Sequence, residues 1–198
     1  WNAFYDMLMA RVDALPHVLS ASGVLRRPLS GPIGWDNQPF FPGQVVEDPH
    51  TWGLNPHLNL EVVTPGYFST MGIRLVRGRT FSPRDATGPQ VAVISAAMAE
   101  QFWPGVDPLG RYFTFRPDTT PITVIGVVAD VRESALDTPP WPQMYRPIDL
   151  GSQNVAIVVR GTLPARALTA TLTDAMHTVA PGQPVYNVRM MEQVVGAS

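Results

Sequence analysis

Val63–Arg79 reads VTPGYFSTMGIRLVRGR, and its punctuation decides how the surrounding chain folds. Pro65-Gly66 is a turn dipeptide that leads into a short helix near Tyr67–Met71, and Gly72 ends that helix. Ile73–Gly78 then reads as extended, and Ser82-Pro83-Arg84-Asp85 as a turn. Just upstream, His57–Val63 alternates Leu58, Leu60 and Val62 with Asn59, Glu61 and Val63, the pattern of a half-buried strand. Downstream, Val91–Ile94 is an apolar strand that passes at once into a helix from Ser95 to about Trp103, stopped by Pro104-Gly105. Arg111–Phe115 alternates, whereas Ile122–Val128 is continuously apolar, as in a sheet covered on both faces. Trp141–Ile148 adds a short extended piece whose Pro142 and Pro147 limit its ladder bonds.

Working outward, both ends of the chain carry helices. Phe4, Leu8, Val12 and Leu15 form one apolar stripe, ended by Pro16. Trp1 and Tyr5 lie one turn apart, suited either to packing on a neighbouring element or to a membrane–water interface. His17–Leu25 reads as a strand. At the other end, Val155–Val159 is an apolar strand, and Pro164 suits the first helical position. Leu168, Leu172, Ala175, Met176 and Val179 line one helix face, Pro181-Gly182 stops the helix, and Val185–Val188 reads as a returning strand. That unit needs an apolar cover, which the first helix and its strands supply. The expected fold is therefore α+β (mixed α/β), with one subdomain built from residues 1–63 and 151–198 and a β-rich mixed subdomain, 64–150, inserted between them.

Composition narrows the function. A net charge of −2 offers nucleic acid no electrostatic footing. All 14 cations are Arg, so every positive group is a fork-shaped donor. They are uneven: residues 64–116 carry six Arg and three acids, between flanks in which acids outnumber Arg. With no cysteine, disulfides, thiolate metal sites and thiol catalysis are excluded. No apolar run approaches the roughly 18 residues of a membrane span, and no signal sequence opens the chain. Beginning at Trp1 without Met, it reads as a segment excised from a longer protein.

Tested for chemistry, the sequence yields no reaction centre. Ser95 sits where a strand becomes a helix, the place of a hydrolase nucleophile, but Val93 and Ala97 stand where that sharp turn needs small residues. Helix capping is its expected role. None of His17, His50, His57 and His177 pairs with another at ligand spacing. Asp130 and Glu133 follow a buried strand, with Arg132 between them, and read as a solvated turn. Phosphate-binding glycine signatures are missing, so no cofactor is expected. Two groups remain as candidate partner or ligand contacts. Residues 26–56 form a Pro- and Gly-rich stretch holding Trp35, Phe40, Phe41 and Trp52, which either anchor it to the body or form an exposed patch. Arg74, Arg77, Arg79 and Arg84 crowd a short span, with Arg77 and Arg79 on one face of an extended backbone. They can clamp an anionic partner or serve a structural role against the acidic flanks.

The order of five blocks adds a family resemblance. They are VTPGYFSTMGI at Val63–Ile73, RGRTF at Arg77–Phe81, FWPGVDPLG at Phe102–Gly110, VIGVVADVR at Val124–Arg132 and MYRP at Met144–Pro147. Together they resemble the extracytoplasmic core domain of ABC-transporter permeases of the MacB-like and FtsX-related kind. The resemblance implies a porter-like α/β subdomain carrying an inserted, Sabre-like one, on the extracytoplasmic face of a bacterial inner membrane. It implies transmembrane helices before Trp1 and after Ser198, a cytoplasmic ABC ATPase, a homodimer and a periplasmic adaptor or substrate. It also implies a domain that turns ATP hydrolysis into export or partner activation, and it brings no catalytic residues. A ligand-capturing ectodomain with an apolar cleft lined by Trp35, Phe40, Phe41 or Trp52 is the alternative.

Overall fold

The computed structural model describes residues 2–25, 39–42, 58–115, 120–131, 140–148, 155–179, 181–182, 185 and 187–195. In chain order these form α1 (Asn2–Asp13), β1 (Val18–Val24), β2 (Pro39–Phe40), β3 (Asn59–Val63), α2 (Tyr67–Met71) and β4 (Leu75–Gly78). Then come β5 (Val91–Ser95), α3 (Ala96–Phe102), β6 (Tyr112–Phe115), β7 (Ile122–Val128), β8 (Gln143–Pro147), β9 (Ala156–Gly161), α4 (Ala165–Val179) and α5 (Met191–Val195).

The strands join in one mixed sheet of order β2-β6-β7-β5-β8-β3-β1-β9, with β4 sharing the β6 edge of β7. β5 runs parallel to β7 and β3 parallel to β8, while the other pairs are antiparallel. Both chain ends meet at one side: β1 pairs with β9 along its length, and α1 lies beside α4.

Strand β3 shows how the side chains sort. Leu58 and Leu60 join a cluster under α3 with Met98, Phe113 and Met144, and Val62 joins α1 and α4. Val63 turns the other way, onto α2, with Tyr67, Phe68 and Tyr145. Successive residues alternate faces, and each face carries its own cluster. The burial runs opposite to the apolar alternation: Glu61, 3% exposed, and Val63 are buried, whereas Leu60 and Val62 are half-buried.

Local chemistry accounts for the short elements. Gly66 (φ 91°) turns the chain into α2, and Gly72 (φ 74°) closes it by donating its N–H to the Phe68 and Ser69 carbonyls. Ser95 caps α3, its hydroxyl accepting from the Met98 N–H at 3.1 Å. In the Pro83–Ala86 turn, the Ser82 and Asp85 side chains and backbones cap each other reciprocally. β4 hugs β7 so closely that a Cβ on Gly78 would collide with the Ile125 carbonyl, and Gly78 sits at φ 74°.

One further expectation changes, and two open readings narrow. Residues 185, 187 and 188 lie outside the sheet, with Val185 and Val188 exposed. Asn187, at φ 57°, breaks the extended backbone that a returning strand requires, and α5 follows instead. Tyr5 does not face an interface: it is 8% exposed among Leu8, Val12, Ala21 and Ile148. Burial pushes its phenol's pKa up, opposed by a hydrogen bond with the Val155 backbone. Within 26–56, Pro39–Phe40 forms an edge strand on β6.

Candidate functional site

Phe40, Phe41, Arg77 and Arg79, from the two candidate groups, fall at one end of the sheet, around β6 and β4. Of the aromatic set, Trp35 and Trp52 lie outside the described residues. Phe40 is buried in the β2–β6 pairing. Phe41 follows it into a ring cluster, with centroids 4.7 Å from Phe102, 5.2 Å from Trp103 and 6.1 Å from Phe113. Phe115 adds an edge contact to Phe113 at 5.5 Å. Edge-to-face and tilted pairs at these distances each add about 0.5–1.5 kcal/mol beyond burial. So Phe40 and Phe41 pack against the body of the domain, and of residues 26–56 only 39–42 are described. The cluster is wet at its rim: Phe113 is fully buried, while Phe41, Phe102, Trp103 and Phe115 keep partial exposure.

The arginines separate into two kinds. Arg79 makes a two-pronged pair with Asp85, at 2.7 and 2.9 Å, and donates to the Thr80 carbonyl. Asp85 also accepts from the Ser82 N–H and hydroxyl at 2.7 and 2.8 Å. The Arg79 hydrogen bonds hold the Asp85 carboxyl well below the ordinary range; partial burial opposes this, and the two Ser82 contacts reinforce it. Arg79 is thus spent internally. Arg77 meets Asp107 at 3.5 Å with both side chains more than half exposed, a contact that water and salt readily exchange. The two guanidiniums therefore do not form one clamp, since Gly78 between them turns the backbone to φ 74°. Their partners also come from residues 64–116 itself rather than from the acidic flanks. Arg111 donates to the Asp107 carbonyl at 3.2 Å, four residues back, and Asp107 in turn meets Arg77 across 30 residues, a contact that sequence spacing does not reveal.

Two of the residues weighed for chemistry, Ser95 and Asp130, accept hydrogen bonds that brace α3. Ser95 is 1% exposed, and its oxygen accepts from the Met98 and Gln143 N–H groups, both at 3.1 Å. Asp130 accepts from the Ala97 N–H at 2.7 Å, bracing the start of α3. Arg132, Glu133, His50 and His57 lie outside the described residues, and His17 and His177 are exposed. Among the described residues no group of three or more His, Asp or Glu could hold a metal ion, and no helix is long and apolar enough to cross a membrane.

This fold recurs in the extracytoplasmic domains of ABC-type transporters. The periplasmic region of MacB from Actinobacillus actinomycetemcomitans superposes with a TM-score of 0.62 at 15% identity, covering 98% of this chain and 83% of that one. The extracellular domain of the noncanonic ABC-type transporter YknZ from Gram-positive bacteria gives 0.58 at 16% identity, covering 92% and 87%. At such identities the likeness is one of fold. The family comes from the sequence: residues 5–179 match the MacB-like periplasmic core domain, and the chain belongs to that family, as an extracytoplasmic domain of an ABC-transporter permease. No curated protein matches the chain significantly.

Proposed function

We propose that this domain transmits force. ATP binding and hydrolysis by a cytoplasmic ABC ATPase shift the transmembrane helices on either side of the segment, in a homodimeric permease. The shift enters through the joined chain ends and drives export or activation of a periplasmic partner. In this reading residues 1–63 and 151–198 take up the movement, 64–150 carries it outward, and the domain holds no reaction centre. One observation carries the proposal: β1 pairs with β9 and α1 packs beside α4, and from there a continuous sheet runs to β7 and β4. Hydrogen-bonded strands with both faces packed resist shear, so movement at one edge reaches the other. The test is a flexible Gly-Ser insertion after Ala14, between α1 and β1, in the full-length permease reconstituted with its ATPase. Transport or partner activation should fall while ATP hydrolysis persists; undiminished transport would sink the reading.

Capture of the exported molecule is the second reading. Its supporting observation is the partly exposed rim of Phe41, Phe102, Trp103 and Phe115. Titrating the domain with hydrophobic peptides and antibiotics separates the two: saturable micromolar binding, lost in Phe41→Ala, favours capture.

A further inference from the structure

We infer that the β4 edge is a docking surface for an acidic, partly apolar segment of another extracytoplasmic protein. Three exposed large apolar residues, Leu75, Val76 and Val106, gather here around Arg74, Arg77 and Arg111, all exposed. The contacts that bind the patch together are on its surface. Arg77 reaches Asp107 at 3.5 Å, Arg111 donates to the Asp107 carbonyl, and Leu109 fills the space that a Cβ on Gly78 would enter. Of the three guanidiniums only Arg77 thus meets a carboxylate among the described residues, and that pair is loose enough to be replaced. Exposed valines and a leucine beside underused Arg forks favour a partner that offers carboxylates and apolar side chains together.

The alternatives are weaker on physical grounds. A second copy meeting this edge about a two-fold axis would set Arg77 and Arg111 against themselves. A backbone-paired strand is blunted by the register break between Leu75 and Arg77, which leaves Val76 out of the ladder. An anionic membrane also matches cations with apolar residues, but β4 stands six strands from β9 along the sheet, roughly 29 Å at the usual spacing. That last exclusion rests on the proposed tethering of the chain ends to the bilayer; the charge argument does not.

The test uses the 198-residue chain and a fluorescent peptide of alternating glutamate and valine, read by anisotropy. Saturable binding is expected, weakening with added salt. Arg77→Ala with Arg111→Ala should weaken it by about tenfold or more. Asp107→Asn should strengthen it about two- to threefold by releasing Arg77, a gain that a structural role for these residues would not produce. All three side chains are exposed, so thermal melts should stay unchanged. Absent binding, or binding indifferent to these variants, overturns the proposal. So does equal, arginine-dependent binding to phosphatidylglycerol vesicles, which would assign the edge to a membrane. The assay requires no transport, so it can succeed where the Gly-Ser insertion refutes force transmission, and fail where that insertion supports it.

Discussion

Strands β5 (VAVIS) and β9 (AIVVRG) are nearly alike in composition and opposite in surroundings. Every residue of β5 is buried, whereas not one in β9 is. β5 has hydrogen-bonded neighbours on both sides, β7 and β8, with α2 and α3 clusters on its two faces. β9 pairs with β1 alone among the described residues, its residues split between the α2 cluster and that of α1 and α4. The difference locates rigidity. The middle of the sheet is closed on all sides, and the edge that receives both chain ends is more open. In a force-transmitting domain this puts the compliant element next to the input and the stiff one behind it.

The contrast is most exposed to failure through matched truncations. Ile94→Ala should cost about 3–5 kcal/mol, because a fully enclosed site cannot collapse around the lost atoms, and Ile157→Ala about 1–2 kcal/mol. Urea unfolding of the two variants checks this, and equal losses would erase the distinction between centre and edge. Gly78→Ala should follow at about 1–3 kcal/mol, since the added Cβ meets both a left-handed backbone and the Ile125 carbonyl. A melting point within a degree or two of the parent would mean that β4 rides less tightly on β7 than its contacts indicate.

The shared apolar run of β5 and β9 also explains what was legible in the sequence. An apolar run announces a strand, but its place in the sheet depends on pairings made across the chain. α2 was readable because Pro65-Gly66 and Gly72 impose its ends locally, and the Ser95 cap because it needs only the next three residues. The family followed from the same local blocks. Glu61 was not readable as buried, since its burial depends on β3 lying inside the sheet between β8 and β1, pairings made far along the chain. Nor was the split between Arg77 and Arg79: alternation put them together, and a positive φ at Gly78 with the Ser82–Asp85 cap pulled them apart. Val185–Val188 carried a strand's composition, but Asn187 takes a left-handed conformation that composition does not disclose. Asp130 reaches α3 across 33 residues, beyond any local pattern.

Smaller effects sharpen the picture at the stiff end. Ser95→Ala should cost about 1–2 kcal/mol, because the Met98 and Gln143 N–H groups lose a buried acceptor that joins α3 to β8. Thermal unfolding measures it, and a neutral result would mean that water replaces the hydroxyl. Asp85→Asn should cost about 1 kcal/mol at neutral pH, the modest value expected when the Arg79 partner is half exposed. The pH dependence has a definite sign. The folded state holds the Asp85 carboxyl below its unfolded range, so its contribution is complete above about pH 4 and fades as acid protonates it. The parent and Asp85→Asn should therefore converge in stability as pH falls below about 4, and a gap that stays constant would assign the loss to packing instead.

Arg77→Ala should have the smallest effect on folding, within about 0.5 kcal/mol, because its pair with Asp107 is long and solvated. Its neighbour two residues on gives the contrast: removing Arg79 leaves Asp85, a carboxylate already committed to the Ser82 cap, without its cation. The two substitutions remove the same charge from the same edge, yet only the loss of Arg79 should shift the melting temperature and only the loss of Arg77 should weaken binding of an acidic peptide. If both lowered stability equally, the exposure of Arg77 would reflect a structural pair rather than an unused donor. The division between a clasp that holds the edge and a cation that serves it would then collapse.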